Sequence, residues 1–393
     1  MRPGDDGYLN VREGETMMKL QGHTSSVFCL IQLIDRRLVS GDGDRTLRIW
    51  DPITGSCLMT LHGHTNAVLC MTQLTDGRLI SGSRDSTLKI WDTISGSCLA
   101  TLNGHSNPVS SVIQLTDGRL VSGSRDSTLK IWDTISGSCL ATLQGHSSPV
   151  TCGTLLNDGH LVSGSSDYTI KIWDPISGSC LITLQGHSSP VSCVAELNDG
   201  RLISGSFDRT LRIWDTVTGV CLMTLKGHVS YVYSVIQIAD WRLVSGGYDS
   251  LIKIWDTISG SCLMTLQGHT FAVSCLTQLA DGRLVSGSGD STLRIWNIMP
   301  LSQQKWIRRR LLVLLTETSK ILSESPELSV IRQAQYPSLR LLDTSRRHDL
   351  DLLLRCSLNI GNHTNKNEEA CMITLILKVL SMPELVIRIA EHL

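Results

Sequence analysis

Between residues 16 and 297 the chain is a succession of short apolar runs, rich in Val, Ile, Leu and Thr, each stopped by Gly, Asp, Asn or Ser. Residues 104–143 show the unit. A β-rich run over 109–115 precedes the turn Thr116-Asp117-Gly118-Arg119, and a second run covers 120–122. After a turn at Arg125-Asp126 come a third run over 128–132, the turn Ser136-Gly137-Ser138 and a fourth run over 139–143. Asp-Gly and Ser-Gly dipeptides supply the positive φ that tight hairpin loops need, so the unit predicts four short antiparallel strands.

The unit recurs every 41 residues, with tryptophans at Trp50, Trp91, Trp132, Trp173, Trp214, Trp255 and Trp296. Gly-His pairs ending at His23, His64, His105, His146, His187, His228 and His269 keep the same spacing. So do a strand serine (Ser40, Ser81, Ser122, Ser163, Ser204, Ser245, Ser286) and a turn aspartate (Asp44, Asp85, Asp126, Asp167, Asp208, Asp249, Asp290). Four residue types on one spacing through seven copies define an array. A single four-stranded sheet cannot cover its apolar faces, so the copies must pack face to face, and radial packing closes the array without long open edges.

Composition changes this picture little. At 393 residues, 41% hydrophobic and 18% charged, with a formal net charge of −1, the chain has no bulk attraction to nucleic acid or to an anionic membrane, and neither partner is expected. Of the 13 cysteines, eleven follow the repeat. Cys57, Cys98, Cys139, Cys180, Cys221 and Cys262 share one slot, and Cys29, Cys70, Cys152, Cys193 and Cys275 another, which reads as a small buried apolar residue in each strand. With no Cys-x-x-Cys pair there is no reason to expect zinc, and no metal or cofactor is predicted. Residues 1–6 hold no apolar run of the kind a secretory signal requires, and no stretch approaches the ~18 apolar residues of a membrane span. A reducing cytoplasm is expected, with the nucleus left open.

Gly-His followed by Trp-Asp about 27 residues on, as in His105 and Trp132-Asp133, resembles the WD-repeat signature. The resemblance covers residues 16–297, and Trp296-Asn297 is the one departure from the Trp-Asp series. It implies an all-β, seven-bladed β-propeller. In such proteins each Gly-His follows the outermost strand of the preceding blade, so blade seven, ending at Trp296, lacks that strand. The stretch from Thr16 to His23 has the form of Cys57 to His64, which predicts that an N-terminal strand closes the ring. The expected organisation is a flexible N-terminus over 1–15, a propeller over 16–299, working as a monomer, and a small α-helical domain over 300–393.

The family resemblance also implies what the recurring polar residues do. His, Ser, Asp and Trp, for example His105, Ser122, Asp126 and Trp132 or His146, Ser163, Asp167 and Trp173, form a buried hydrogen-bonded chain tying an outer loop to inner strands. Their donor and acceptor inventories are complementary. Seven identical His, Ser and Asp sets do not make a hydrolase, because nucleophilic catalysis needs one exposed, asymmetric constellation. The Ser-Gly-Ser turns lead into strands and not into helix N-termini, so they form no phosphate cradle. No catalytic residue is predicted, and the chain reads as a non-enzyme.

Binding is then read from positions that differ between copies. The residue before the turn aspartate, which faces the top of the propeller in the family, is Gly43, Arg84, Arg125, Ser166, Phe207, Tyr248 and Gly289 in order. Tyr231, Tyr233 and Phe271 lie near the same rim. Of the Phe and Tyr residues in the repeats, most are thus gathered in blades five to seven, beside an arginine pair in blades two and three. Such a mixture suits recognition of other proteins or peptides. Phrases such as Ser122 to Asp133 also resemble the F-box/WD-repeat substrate receptors of ubiquitin ligases, some of which hold phosphorylated peptides with arginines. Arg84 and Arg125 occupy one matching slot, while the other slot (Phe28, Leu69, Ser110, Thr151, Ser192, Tyr233, Ser274) holds no arginine.

After Trp296 the periodicity becomes helical. Ile307, Leu311, Leu314, Leu315 and Leu322 follow a helical spacing, and residues 349–358 and 368–380 read as further helices. The arginine triplet at 308–310 reads as a solvated helix face. Ser381-Met382-Pro383-Glu384 is a capping box, and residues 381–393 resemble the opening helix of an F-box. The leading expectation is a non-enzymatic scaffold that binds partners on the propeller's top face. The alternative is a substrate receptor that docks to ubiquitin-ligase subunits through 381–393.

Overall fold

The computed structural model describes residues 14–238 and 241–298. Within them lie seven four-stranded antiparallel sheets. Blade one is built from Val27–Gln32, Leu38–Asp42, Leu47–Trp50 and Cys57–Leu61, paired in sequence order. Blades two to six repeat this order, blade three for example from Val109–Gln114, Leu120–Ser124, Leu129–Trp132 and Cys139–Leu143. The turn glycines behave as their dipeptides require: Gly118 has φ 88° and Gly137 φ 71°. The fold class read from the sequence is thus observed, whereas the helices expected over 300–393 lie outside the described residues.

Blade seven contains three strands from the end of the array and one from its beginning. Thr16–Gln21 runs antiparallel to Thr292–Trp296, with Leu20 opposite Leu293 and Gln21 opposite Thr292. The pairing is prolonged by Gly14 N–H to Asn297 O, 2.7 Å, and Asn297 N–H to Glu15 O, 3.2 Å. Joining the two ends in one sheet gives blade seven the outermost strand that the other six blades have and covers the edge of Thr292–Trp296.

The core lies between blades. Cys70, Leu74, Ile80, Leu88, Ile90 and Leu102 of blade two pack with Val109, Val112, Leu120 and Trp132 of blade three, and Leu20, Leu293 and Ile295 close the set between blades seven and one with Val27, Leu38 and Trp50. Each of the seven repeat tryptophans is fully buried against the neighbouring blade, and burying a large apolar side chain contributes about 1.5–3 kcal/mol. The blades are further stitched at the strand ends. Thr75 N–H donates to Gln114 Oε1 (2.9 Å) of the next blade, and Ala280 N–H of blade seven donates to Gln32 Oε1 (2.8 Å) of blade one, repeating the contact across the seam.

The two cysteine slots differ, which corrects the reading of both as buried. Cys29, Cys70, Cys193 and Cys275 sit on innermost strands and are buried, and Cys152 is partly so. Cys57, Cys98, Cys139, Cys180 and Cys262 are exposed, because they lie on the outermost strand, which has no further strand or blade over it. The described cysteines are all free thiols. Burial pushes the Cys70 and Cys152 thiols up to about 12, so the inner set is held as inert thiol.

Candidate functional site

The repeated polar residues build the frame on which the variable positions stand. In blade three Trp132 Nε1–H donates to Ser122 Oγ at 2.7 Å, Ser122 Oγ lies 2.7 Å from His105 Nε2, and His105 Nδ1 lies 2.7 Å from Asp126 Oδ2. A carboxylate only accepts, so Nδ1 carries the proton, Nε2 accepts from the serine hydroxyl and the hydroxyl oxygen accepts from the indole. Thr128 completes the set by donating its N–H (3.0 Å) and hydroxyl (2.6 Å) to Asp126 Oδ1. Blade four has the same chain: Trp173 to Ser163 at 2.8 Å, Ser163 to His146 at 2.7 Å, His146 to Asp167 at 2.8 Å.

Ser122 and Ser163 are wholly inaccessible to solvent, and the histidines nearly so. Burial raises the Asp126 carboxyl, but the bonds from Thr128 and His105 outweigh it and hold the group below the usual carboxylate range. Burial also lowers His105 and His146, against the pull of their aspartates, so both stay neutral near pH 7. No nucleophile is exposed in this arrangement.

The frame aims the residue before each turn aspartate outward. Ser124 Oγ donates to Asn107 O at 2.9 Å and Arg125 N–H donates to Pro108 O at 2.9 Å, so the turn is fastened to the Gly-His loop and the Arg125 side chain leaves from its tip. Phe207 and Tyr248 are fastened alike, through Pro190 O and Tyr231 O.

On this face the structure brings the five predicted aromatic residues into one connected set. Phe207 stacks on Tyr231 with centroids 4.7 Å apart and meets Tyr233 edge-on at 5.5 Å. Tyr248 touches Tyr231 (5.9 Å), Tyr233 (6.0 Å) and Phe271 (5.6 Å). These are favourable aromatic geometries. Even so, Tyr231, Tyr248 and Phe271 remain 42%, 45% and 48% exposed, so the rings satisfy one another without being covered.

Arg84 and Arg125 are both exposed and form a separate pair in blades two and three. Partial burial and the charge of Arg84 together lower the Arg125 guanidinium from its usual value. The adjacent aspartates do not neutralise them: Asp85 and Asp126 are engaged by His64, Thr87, His105 and Thr128. Arginines of the Asp-Gly-Arg turns, by contrast, pair with their own aspartates, as Arg119 does with Asp117 at 2.7 Å. The Arg84 guanidinium carbon lies 5.7 Å from the centroid of Phe28, a residue that sequence reasoning had set aside as a missing arginine. Among the described residues no contact joins the arginine pair to the aromatic set.

Blade one departs from the frame. The residue two before the turn aspartate is Ser83, Ser124, Ser165, Ser206, Gly247 or Ser288 in the other blades, but Asp42 here. Asp42 is fully buried, and burial, with the neighbouring Asp44, pushes its carboxyl up to about 6. Sequence reasoning missed this position, although aligning Gly41-Asp42-Gly43-Asp44 with Gly123-Ser124-Arg125-Asp126 displays it.

A family model described as WD domain, G-beta repeat matches seven segments of the chain: 14–51, 55–92, 96–133, 137–174, 178–215, 219–256 and 260–297. Each segment begins in the turn before an outermost strand and ends just past a repeat tryptophan, in register with the observed blades. A search of curated proteins matched none of them to this chain. With the seven segments covering most of its length and the seven blades built on their His, Ser, Asp and Trp residues, the chain belongs to the WD-domain, G-beta repeat family.

Proposed function

We propose that this protein is a scaffold that binds other proteins or peptides on the face carrying the Gly-His loops. Propellers of this family are generally protein–protein interaction scaffolds and typically not enzymes. The observation that carries the finer reading is the connected aromatic set of Phe207, Tyr231, Tyr233, Tyr248 and Phe271, of which Tyr231, Tyr248 and Phe271 stay exposed while Phe207 and Tyr233 are half-buried beneath them. Aromatic side chains present large contact area at low entropic cost, and clusters of them, with arginine, dominate binding energy at protein interfaces. The unpaired charges of Arg84 and Arg125 favour a partner segment that carries acidic groups. The scaffold is placed in a reducing cytoplasm, a reading supported by the free thiols that recur with the repeat.

The test is proximity labelling of the full chain beside a variant carrying Arg84→Ala, Arg125→Ala, Phe207→Ala and Tyr248→Ala. Arg84, Arg125 and Tyr248 are exposed and Phe207 is half-buried at its turn, so the comparison is made once a melting curve shows that the variant folds. Loss of the prominent labelled proteins supports this face as the site, and an unchanged set places binding elsewhere. The alternative, a ubiquitin-ligase receptor docking through 381–393, rests on residues outside the described structure. Removing those residues would strip ligase subunits from a pull-down only if that alternative holds.

A further inference from the structure

Six of the seven blades give a baseline against which blade one can be judged. There the turn aspartate places one Oδ2 atom 2.7–2.9 Å from the histidine Nδ1. In five of them a serine two residues earlier accepts from the aspartate's own N–H and donates to a loop carbonyl, as Ser124 does. Asp42 reproduces only half of this. Its Oδ1 accepts Asp44 N–H at 2.8 Å, and its Oδ2 turns towards His23.

The result is an imidazole between two carboxylates. His23 Nδ1 lies 3.0 Å from Asp42 Oδ2 and 3.5 Å from Asp44 Oδ2. The His23 side chain is 1% exposed and that of Asp42 0%, yet the 3.0 Å approach of Nδ1 to Oδ2 is not aligned as a hydrogen bond and neither atom makes another. Buried polar atoms without partners are rare in native structures and call for a compensating group. The buried Asp42 carboxylate, with the half-buried Asp44 beside it, calls for a positive group. Among the described residues this is the one group of at least three His, Cys, Asp or Glu side chains whose donor atoms all lie within 4.8 Å of one another.

We propose that His23 Nδ1, Asp42 Oδ2 and Asp44 Oδ2 are ligands for a divalent first-row metal ion, with zinc the best fit. A tetrahedral ion with bonds of about 2.0 Å holds its ligand atoms about 3.3 Å apart, and the two separations of 3.0 and 3.5 Å bracket that value. One imidazole nitrogen and two carboxylate oxygens suit zinc, and they are too few oxygens for calcium. The other atoms of the ligands are held by neighbours: Ser40 Oγ lies 2.6 Å from His23 Nε2, Thr46 N–H donates to Asp44 Oδ1 at 3.0 Å, and Asp44 N–H holds Asp42 Oδ1. The Asp44 side chain, 13% exposed, leaves a fourth position for water. His23 stands two residues past the closing strand, so the ion would fasten the N-terminal entry to blade one. The lack of a Cys-x-x-Cys pair gave no hint of this, because the donors come from His and Asp in a slot where the other copies carry serine or glycine.

The experiment uses the full chain, stripped with a chelator and with its exposed thiols alkylated, titrated with cobalt(II) and then zinc. Cobalt(II) reports tetrahedral nitrogen and oxygen ligation through its visible bands, and thiolate binding through a separate charge-transfer band. The expected result is one equivalent of cobalt without that band, displaced by zinc, and a thermal midpoint that rises when zinc is added. Asp42→Ser, which restores the serine of the other blades, loses the equivalent and the shift. Ser124→Asp, which copies the arrangement beside His105 and Asp126, raises the stoichiometry to two. Equal metal uptake by wild type and Asp42→Ser, or a visible spectrum that arises only with the thiolate band, overturns the proposal. A Ser124→Asp chain that still takes up one equivalent overturns it independently, should Asp42→Ser fail to fold.

Discussion

His105 and Asp126 are 21 residues apart in sequence and 2.7 Å apart in space, joined by an Nδ1–H that the carboxylate accepts while Nε2 faces Ser122. The bond connects the Gly-His loop to the turn before the Trp132 strand, so either residue alone leaves a buried partner unsatisfied. Asp126→Ala is expected to cost about 1–3 kcal/mol in chemical denaturation. Adding His105→Ala to it should cost clearly less than the sum of the two single changes. Strict additivity in that double-mutant cycle would mean that the two side chains do not act as a pair.

The same pair sets the direction of the pH response. His105 and His146 have folded pKa values below that of a free histidine, through burial and, to a smaller degree, through Lys130 and Lys171, against Asp126 and Asp167. The unfolded chain therefore binds more protons as pH falls through the free-histidine value of about 6.5. Their contribution is complete above that pH and is lost below it. The Asp126 and Asp167 carboxyls are also lowered, burial being outweighed by hydrogen bonds, so their contribution is complete above the free-aspartate value of about 4 and is lost under further acidification. A series of thermal midpoints should fall from pH 7.5 towards pH 5 and more steeply below about 4. A midpoint that rises on mild acidification in an Asp42→Ser background, where the raised Asp42 carboxyl no longer contributes with the opposite sign, would contradict the assignment of His105 and His146.

Closure by the first strand makes the ring depend on a few residues far from its other end. Leu20, 2% exposed, packs with Leu293 and Ile295 across the seam. Leu20→Ala should cost about 2–5 kcal/mol. Deleting residues 1–21 should lower the thermal midpoint further and open the seam to protease near 292–296. If that deletion left both midpoint and cleavage pattern unchanged, the strand would not be a closing element.

Gly123 is a glycine for reasons of space and not of φ. A Cβ placed there would lie 2.5 Å from Ser111 Oγ and 2.7 Å from Val150 Cγ1 of the next blade. Gly123→Ala should cost about 1–3 kcal/mol by overpacking, measured by chemical denaturation. An alanine tolerated at no cost would show that adjacent blades approach less closely than the structure has them.

The number of blades, the strand-turn-strand order and the seam at Thr16–Gln21 were all legible in the sequence. The strand order and the count follow from local chemistry repeated at fixed spacing, Asp-Gly turns with positive φ and short apolar runs, and the seam from the WD-repeat resemblance, which implied a spare outer strand at the start. The network of His105, Ser122, Asp126 and Trp132 was legible through the WD-repeat resemblance and not from their order along the chain, since the bonds run from Trp132 to Ser122, His105 and Asp126. What tertiary structure decided is how residues from different turns meet. The stacking of Phe207 on Tyr231 and the seating of Arg84 over Phe28 depend on how closely the loops of one blade approach the next, and the convergence of Asp42 and Asp44 on His23 depends on how the turn of blade one meets its Gly-His loop. The exposure of Cys57 against the burial of Cys29 depends on which strand lies at the rim. Spacing along a chain specifies which elements form, but only the packing of those elements places side chains from separate turns within bonding distance.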